Sequence, residues 1–70
     1  MSSSVYKVIE IVGSSPDSWE KAAQAALTRA AKSLRDLRVA EVVQLDVHLN
    51  DKGKIAAYRT KLKVSFKFEG

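Results

Sequence analysis

The feature that most constrains this chain is a strictly alternating stretch near its end, residues 58–68. Apolar and aromatic side chains, together with Thr60, occupy the even positions, and charged or polar side chains occupy the odd ones. A period of two places successive side chains on opposite faces of a β-strand. The stretch therefore predicts a long strand with one buried and one exposed face, against which every other element must pack.

The size of the chain limits what can surround this strand. Seventy residues with 46% apolar content predict one ordered domain, residues 1–70. The absence of cysteine excludes disulfide bonds and thiolate metal sites. No apolar segment approaches the roughly 20 residues of a membrane helix, and residues 1–4 show no export signal. We therefore expect a soluble, cytoplasmic protein with no membrane partner.

Two segments before the alternating stretch predict a strand and a helix. Residues 5–12 are rich in β-branched side chains, which favours a strand ending at Gly13. Ser15 followed by Pro16 predicts a helix start with Ser15 as the N-cap. An apolar stripe at steps of three and four then indicates one long amphipathic helix. The stripe comprises Trp19, Ala23, Ala26, Leu27, Ala30, Leu34 and Leu37.

A further strand is predicted from Val39 onward, where most odd positions are apolar and Glu41 is an exception on the apolar face. Asp46 occupies an even position, so we expect Glu41 and Asp46 on opposite faces. Residues 50–53 predict a hairpin loop. The order β-α-β-β indicates an α+β fold, in which a three-stranded antiparallel sheet packs around the helix. Because one helix covers one face and the last strand offers unpaired backbone, we expect a homo-oligomer.

The residues offer little for catalysis. His48 is the only histidine, so it can build neither a zinc site nor an acid-base pair, and we expect it on a strand surface. The serines at the helix start have no base placed beside them, and no phosphate loop is present. We therefore expect a protein that is not an enzyme.

The basic row of the last strand suggests phosphate binding as another hypothesis. Proteins that bind single-stranded nucleic acid place aromatic side chains among their cations, whereas Phe66 and Phe68 lie on the other face. Nucleic acid is therefore an unfavoured partner. The row could instead be solvated or pair with Glu10, Glu41 and Asp46 of neighbouring copies. The row comprises Arg59, Lys61, Lys63 and Lys67.

Several segments together resemble the dodecins. They are residues 5–16, the alanine-rich helix with residues 34–37, the pair Glu41-Val42, and residues 63–69. The resemblance implies the β-α-β-β fold wrapped around its helix and a hollow homododecamer. It also implies a protein that binds and stores riboflavin or FMN without catalysing a reaction.

The resemblance places the flavin-binding positions at Val39, Glu41, Gln44 and Arg59. Val39 replaces a tryptophan that stacks on the flavin in the family, and aromatic stacking contributes about 0.5–1.5 kcal/mol per pair. Arg59 replaces a glutamine that hydrogen-bonds the flavin, and it has donors but no acceptor. Gln44 replaces an acid. The altered site implies weakened flavin binding, and we expect Trp19 to pack in the core or at a subunit contact instead.

Residues 39–42 and 65–67 look like a branch of dodecins associated with calcium. Calcium takes about six to eight oxygen ligands. The metal candidates are Glu41 and Asp46, gathered from symmetry-related copies, although Glu41 could instead pair with Arg59 or Lys61 in its own chain or a neighbour. Two hypotheses follow. The shell binds a small ligand or an ion such as calcium, or it holds flavin through non-standard contacts.

Overall fold

A computed structural model describes residues 3–67, so Phe68 of the alternating stretch lies outside the described residues. The element order confirms the predicted α+β fold. It is β1 (Tyr6–Ser15), α1 (Trp19–Ser33), β2 (Leu37–Leu49) and β3 (Ile55–Lys67). No helix within residues 3–67 has the length and apolar character needed to cross a membrane.

The alternating stretch forms the central strand of an antiparallel sheet with the order β1-β3-β2. β1 pairs with β3 from Tyr58 to Lys67, and β2 pairs with it from Ile55 to Phe66. The expectation that the last strand offers unpaired backbone was therefore wrong, because two long strands cover both of its edges. The free edges of the sheet belong to β1 and β2.

The core lies between α1 and the even-numbered side chains of β3. Leu62 and Val64 are each 1% exposed, and Ala22 of the helix is fully buried. Thr60 is also buried, and its hydroxyl donates a hydrogen bond of 2.9 Å to the carbonyl oxygen of Trp19. The strand alternation thus decides which residues are buried. The predicted stripe omitted Ala22.

The helix begins later than predicted. Ser18 is the N-cap, and its hydroxyl oxygen accepts a hydrogen bond from the backbone N–H of Lys21 at 3.0 Å. Ser15 instead ends β1, where it lies opposite Tyr58, and its hydroxyl accepts from the N–H of Asp17. Pairing with β3 keeps β1 extended beyond Gly13, so the predicted strand end and the predicted N-cap were both wrong.

The helix also ends before the last members of the predicted stripe. Leu34 is the C-cap, and its N–H donates to the carbonyl oxygen of Ala30 at 2.9 Å. Asp36 then adopts a positive φ of 56°. Asp tolerates this left-handed region better than most residues. Asp36 therefore turns the chain into β2 without a glycine.

Two β-bulges interrupt β2. Leu37 lies opposite Phe66 but Val39 lies opposite Ser65, so Arg38 is an inserted residue. Val43 is inserted in the same way, because Val42 lies opposite Leu62 and Gln44 lies opposite Lys61. Each insertion exchanges the faces of the odd and even positions that follow, and bulges increase the local twist of a strand.

Candidate ligand and metal site

The predicted site residues of β2 share one face of the sheet. We call this the outer face: it carries the odd-numbered residues of β3 from Arg59 to Lys67 and lies opposite α1. Directly opposed residues of paired strands point to the same side. The opposed pairs are Val39 with Ser65, Glu41 with Lys63, Gln44 with Lys61, and Asp46 with Arg59. All four predicted β2 residues therefore lie on the outer face.

This arrangement corrects two expectations about the acids. Glu41 and Asp46 lie on the same face, not on opposite faces, because the bulge at Val43 shifts the alternation between them. For the same reason Glu41 does not interrupt the apolar face. It opposes Lys63 on the polar side of the sheet, while Leu45 opposes the buried Thr60.

Asp46 and Arg59 form a bidentate ion pair. Arg59 Nε donates to Asp46 Oδ1 at 2.7 Å, and Arg59 Nη2 donates to Asp46 Oδ2 at 2.9 Å. The hydrogen bond from Arg59 holds the pKa of Asp46 below its ordinary value, and Asp46 raises the pKa of Arg59. Gln44 Nε2 adds a longer contact to Asp46 Oδ2 at 3.4 Å. Both carboxylate oxygens of Asp46 are thus already engaged within the chain.

Glu41 is in a different situation. The two ion pairs expected for it inside the chain are not formed, because Arg59 binds Asp46 and Lys61 Nζ lies 3.7 Å from Glu10 Oε1. Within residues 3–67, Glu41 has no cation within 4.0 Å. Its exposed carboxylate therefore remains available to a ligand or to a neighbouring copy.

One chain does not bring these residues together into a closed site. The partners of Glu41 and Asp46 are four residues apart along β3, which corresponds to about 13 Å. The partners of Val39 and Asp46 are about 20 Å apart by the same measure. The described part of the chain contains no group of three or more His, Cys, Asp or Glu side chains that could hold a metal.

An apolar groove lies beside Val39. Its volume is about 470 Å³, and Leu27, Thr28 and Ala31 of the helix line one side of it. Val39 is 63% exposed. Val39 therefore presents an exposed apolar side chain at the rim of this groove.

Trp19 supports the ion pair from the other side of the sheet. Its Nε1 donates to the backbone carbonyl oxygen of Asp46 at 3.0 Å, and its ring meets that of Tyr58 edge to face at 5.0 Å. The predicted packing role of Trp19 is confirmed. Its link to Asp46 was missed, since a contact across 27 residues leaves no signal in the local sequence.

His48 and the hairpin loop have ordinary positions. His48 is exposed on β2, as expected. The hairpin is organised by Asn50, whose Oδ1 accepts from the backbone N–H groups of Lys52 and Lys54.

Three of the four cations in the basic row of β3 have an acid opposite or beside them on a flanking strand. Glu10 and Glu41 oppose Lys63 from the two sides, Glu10 also contacts Lys61, and Asp46 binds Arg59. A phosphate backbone would meet alternating charges on this face and not a continuous positive surface. The charge pattern thus agrees with the expectation that nucleic acid is an unfavoured partner. It also shows that Glu10 and Asp46 pair within their own chain.

Comparison with known proteins establishes the family. The sequence model of the dodecin family matches residues 5–69. This chain belongs to the dodecins. Membership of this family implies a homo-oligomer. The exposed surface agrees with a homo-oligomer. Among residues 3–67, ten large apolar side chains are between 43% and 63% exposed.

Two curated dodecins are similar over most of their length. The "Calcium dodecin" of Mycobacterium tuberculosis is 56% identical over 64 residues, which cover 91% of this chain and 89% of the relative. The "Dodecin" of Thermus thermophilus is 42% identical over 65 residues, covering 93% of each chain. The higher identity to the calcium dodecin confirms the predicted resemblance to that branch.

Solved dodecin structures share the fold. Dodecin from Streptomyces coelicolor has a TM-score of 0.92 at 40% identity, covering 100% of this chain and 99% of that chain. Calcium dodecin from Mycobacterium tuberculosis, described as having a novel calcium-binding site, has a TM-score of 0.84 at 54% identity. That match covers 93% of this chain and 91% of that chain.

Proposed function

We propose that this dodecin is a non-enzymatic homododecameric shell that binds calcium at its subunit contacts. The observation that carries the proposal is the contrast between the two acids of the outer face in a chain 56% identical to a calcium dodecin. Asp46 is bound by Arg59, whereas Glu41 is exposed and has no cation within 4.0 Å among residues 3–67. We also propose a single domain over residues 1–70 and a cytoplasmic location.

The geometry favours a metal site that several copies share. One Glu41 carboxylate supplies at most two of the roughly six to eight oxygens that calcium takes. Copies related by a symmetry axis each contribute the same carboxylate, and water supplies the remaining ligands. Asp46 is the second metal candidate, but it would first have to release the guanidinium of Arg59. Glu41 is therefore the principal ligand in this proposal.

A flavin-binding shell is the alternative function. The apolar groove beside Val39 favours it, because an isoalloxazine ring needs an apolar surface. Two features act against it. Valine does not provide aromatic stacking, and the guanidinium of Arg59 is already held by Asp46. Flavin would have to bind through other contacts.

The test combines native mass spectrometry with thermal unfolding of the purified protein. We expect a dodecamer, a lower Tm after treatment with a chelator, and recovery of the Tm when calcium is added. At a free calcium concentration of 100 Kd, binding stabilises the folded state by about 2.7 kcal/mol. Glu41→Gln should abolish the recovery while leaving the dodecamer intact.

Glu20→Gln is the matched control, because it removes the same charge from an exposed position on α1. It should respond to calcium like the unmodified protein. A chelator-insensitive Tm, or a Glu41→Gln variant that still responds to calcium, contradicts the metal site. Flavin-sized adducts on the dodecamer would support the alternative, and a monomer or dimer would contradict the shell itself.

A further inference from the structure

Two acids and two lysines lie together in the middle of the outer face. Glu10 of β1 and Glu41 of β2 are both opposite Lys63 of β3, the strand between them. Lys61 lies two residues before Lys63 on the same strand, so its side chain points to the same face. We call Glu10, Glu41, Lys61 and Lys63 the central charge cluster.

One of the two ion pairs that this cluster could form is present. Lys61 Nζ lies 3.7 Å from Glu10 Oε1. Among residues 3–67, Lys63 has no carboxylate within 4.0 Å, and Glu41 has no cation within the same distance. These two residues nevertheless lie directly opposite each other in the ladder between β2 and β3. The cluster therefore holds one formed ion pair and one opposed pair of charges that do not touch.

The side chain of Lys63 has the reach to contact Glu41. The Cβ atoms of directly opposed residues in an antiparallel sheet are about 4.5–5.5 Å apart, and the lysine ammonium sits on a flexible four-carbon stem. Lys63 and Glu41 are both exposed, so neither side chain is held by packing. A change of rotamer brings the ammonium to the carboxylate without any movement of the backbone.

We propose that Lys63 competes with calcium for the carboxylate of Glu41 and thereby sets the calcium affinity of the site. This inference rests on the calcium function proposed above. Because the ammonium is attached to the opposing strand, its effective concentration at Glu41 is high at any solution composition. A lysine paired with Glu41 neutralises the carboxylate, and its charge repels a second cation.

Glu10 acts on the same site in the opposite direction. It engages Lys61 and also lies opposite Lys63, so it attracts both ammonium groups toward β1. Without Glu10, Glu41 would be the one acid opposite Lys63, and Lys61 would lose its partner among the described residues. Glu10 is therefore a positioning residue that keeps Glu41 available although it does not itself bind the metal.

The test is isothermal titration of calcium into the assembled, chelator-treated protein at fixed pH and ionic strength. We expect Lys63→Gln to raise the calcium affinity roughly tenfold, since a divalent ion feels twice the repulsion of a single charge. Glu10→Gln should lower the affinity by roughly threefold, because it turns the lysines toward Glu41. Lys63→Arg keeps the positive charge and should bind calcium much as the unmodified protein does.

Two control variants separate this local competition from a change in net charge. Lys52→Gln at the exposed hairpin removes the same charge as Lys63→Gln, and Glu20→Gln on α1 removes the same charge as Glu10→Gln. Both controls should leave the calcium affinity unchanged. Native mass spectrometry verifies the copy number of each variant, and Lys63→Met provides a second measurement should Lys63→Gln fail to assemble.

The outcomes distinguish the inference from the function on which it rests. If the unmodified protein binds calcium and Lys63→Gln binds it no more tightly than Lys52→Gln does, the competition is overturned while the calcium site stands. A weaker affinity in Lys63→Gln would likewise overturn it, since Lys63 would then support the site. If neither the unmodified protein nor any variant binds calcium, the proposed function fails and the inference with it.

Discussion

At the scale of single residues, Gly13 controls how closely β1 and α1 can pack. A Cβ atom at this position would overlap the carbonyl oxygen of Ala22 and lie 2.9 Å from the Cβ of Ala26. Ala22 is fully buried, so its carbonyl group cannot move toward solvent. Glycine is required here because no room exists for a Cβ atom, and not because of its backbone angles. From the sequence alone, Gly13 indicated only the end of a strand.

We therefore expect Gly13→Ala to destabilise the fold. Overpacking of a core costs about 1–3 kcal/mol, and the clash with rigid backbone places this substitution at the upper end of that range. The measurement is the urea midpoint at fixed protein concentration. Ser14→Ala is the control, because Ser14 is exposed at the next position of the same strand. An unchanged midpoint for Gly13→Ala would show that the helix can move away from the sheet.

At the scale of elements, the sequence predicted β3 and the existence of the helix, but not the ends of the helix or the faces of β2. Regular alternation identifies β3 because its side chains from Tyr58 to Lys67 alternate between the two faces without interruption. The bulges at Arg38 and Val43 break this rule in β2, and inserted residues of ordinary type carry no local signature. The faces of Glu41 and Asp46 could therefore be assigned only from the strand register, as could the pairing of Asp46 with Arg59.

The turn between α1 and β2 allows a prediction at the same scale. Asp36 holds a positive φ, which a β-branched residue adopts only under strain. We expect Asp36→Val to lower the free energy of unfolding by about 1–3 kcal/mol, and Asp36→Gly to change it by less than about 1 kcal/mol. Chemical denaturation of both variants at one protein concentration measures the difference.

Arg38→Ala separates the backbone effect from the ion pair. It removes the 4.0 Å contact with Asp36 without changing the turn, and an exposed pair of this kind contributes little. If Asp36→Val and Arg38→Ala destabilised the protein equally, the turn conformation would not be the cause.

At the scale of the whole molecule, an isolated chain buries little apolar surface. The buried apolar side chains of the described residues are Ala22, Ala30, Leu62 and Val64, while ten larger ones are half exposed. A domain of this size has a small core and gains stability from association. Association with other copies is therefore expected to supply much of the apolar burial that one chain lacks.

Stability should consequently depend on protein concentration. When unfolding is coupled to dissociation, mass action raises the Tm as concentration increases. We expect the Tm to rise steadily over a hundredfold range of concentration, at constant pH, salt and calcium. Scanning calorimetry with a verified reversible transition is the suitable measurement. A Tm that stays constant over this range would mean that the single chain is stable by itself.

The strand order β1-β3-β2 also has a consequence for synthesis. A ribosome delivers β1, α1 and β2 first, yet both ladders of the sheet require β3. The ladder between β1 and β3 joins residues as far apart as Tyr6 and Lys67, and contacts this distant in sequence slow folding. Until Ile55 and the residues after it emerge, the earlier strands have no partner and expose the apolar surface that promotes aggregation. Nascent chains of this protein are therefore expected to rely on chaperones until the final strand is available.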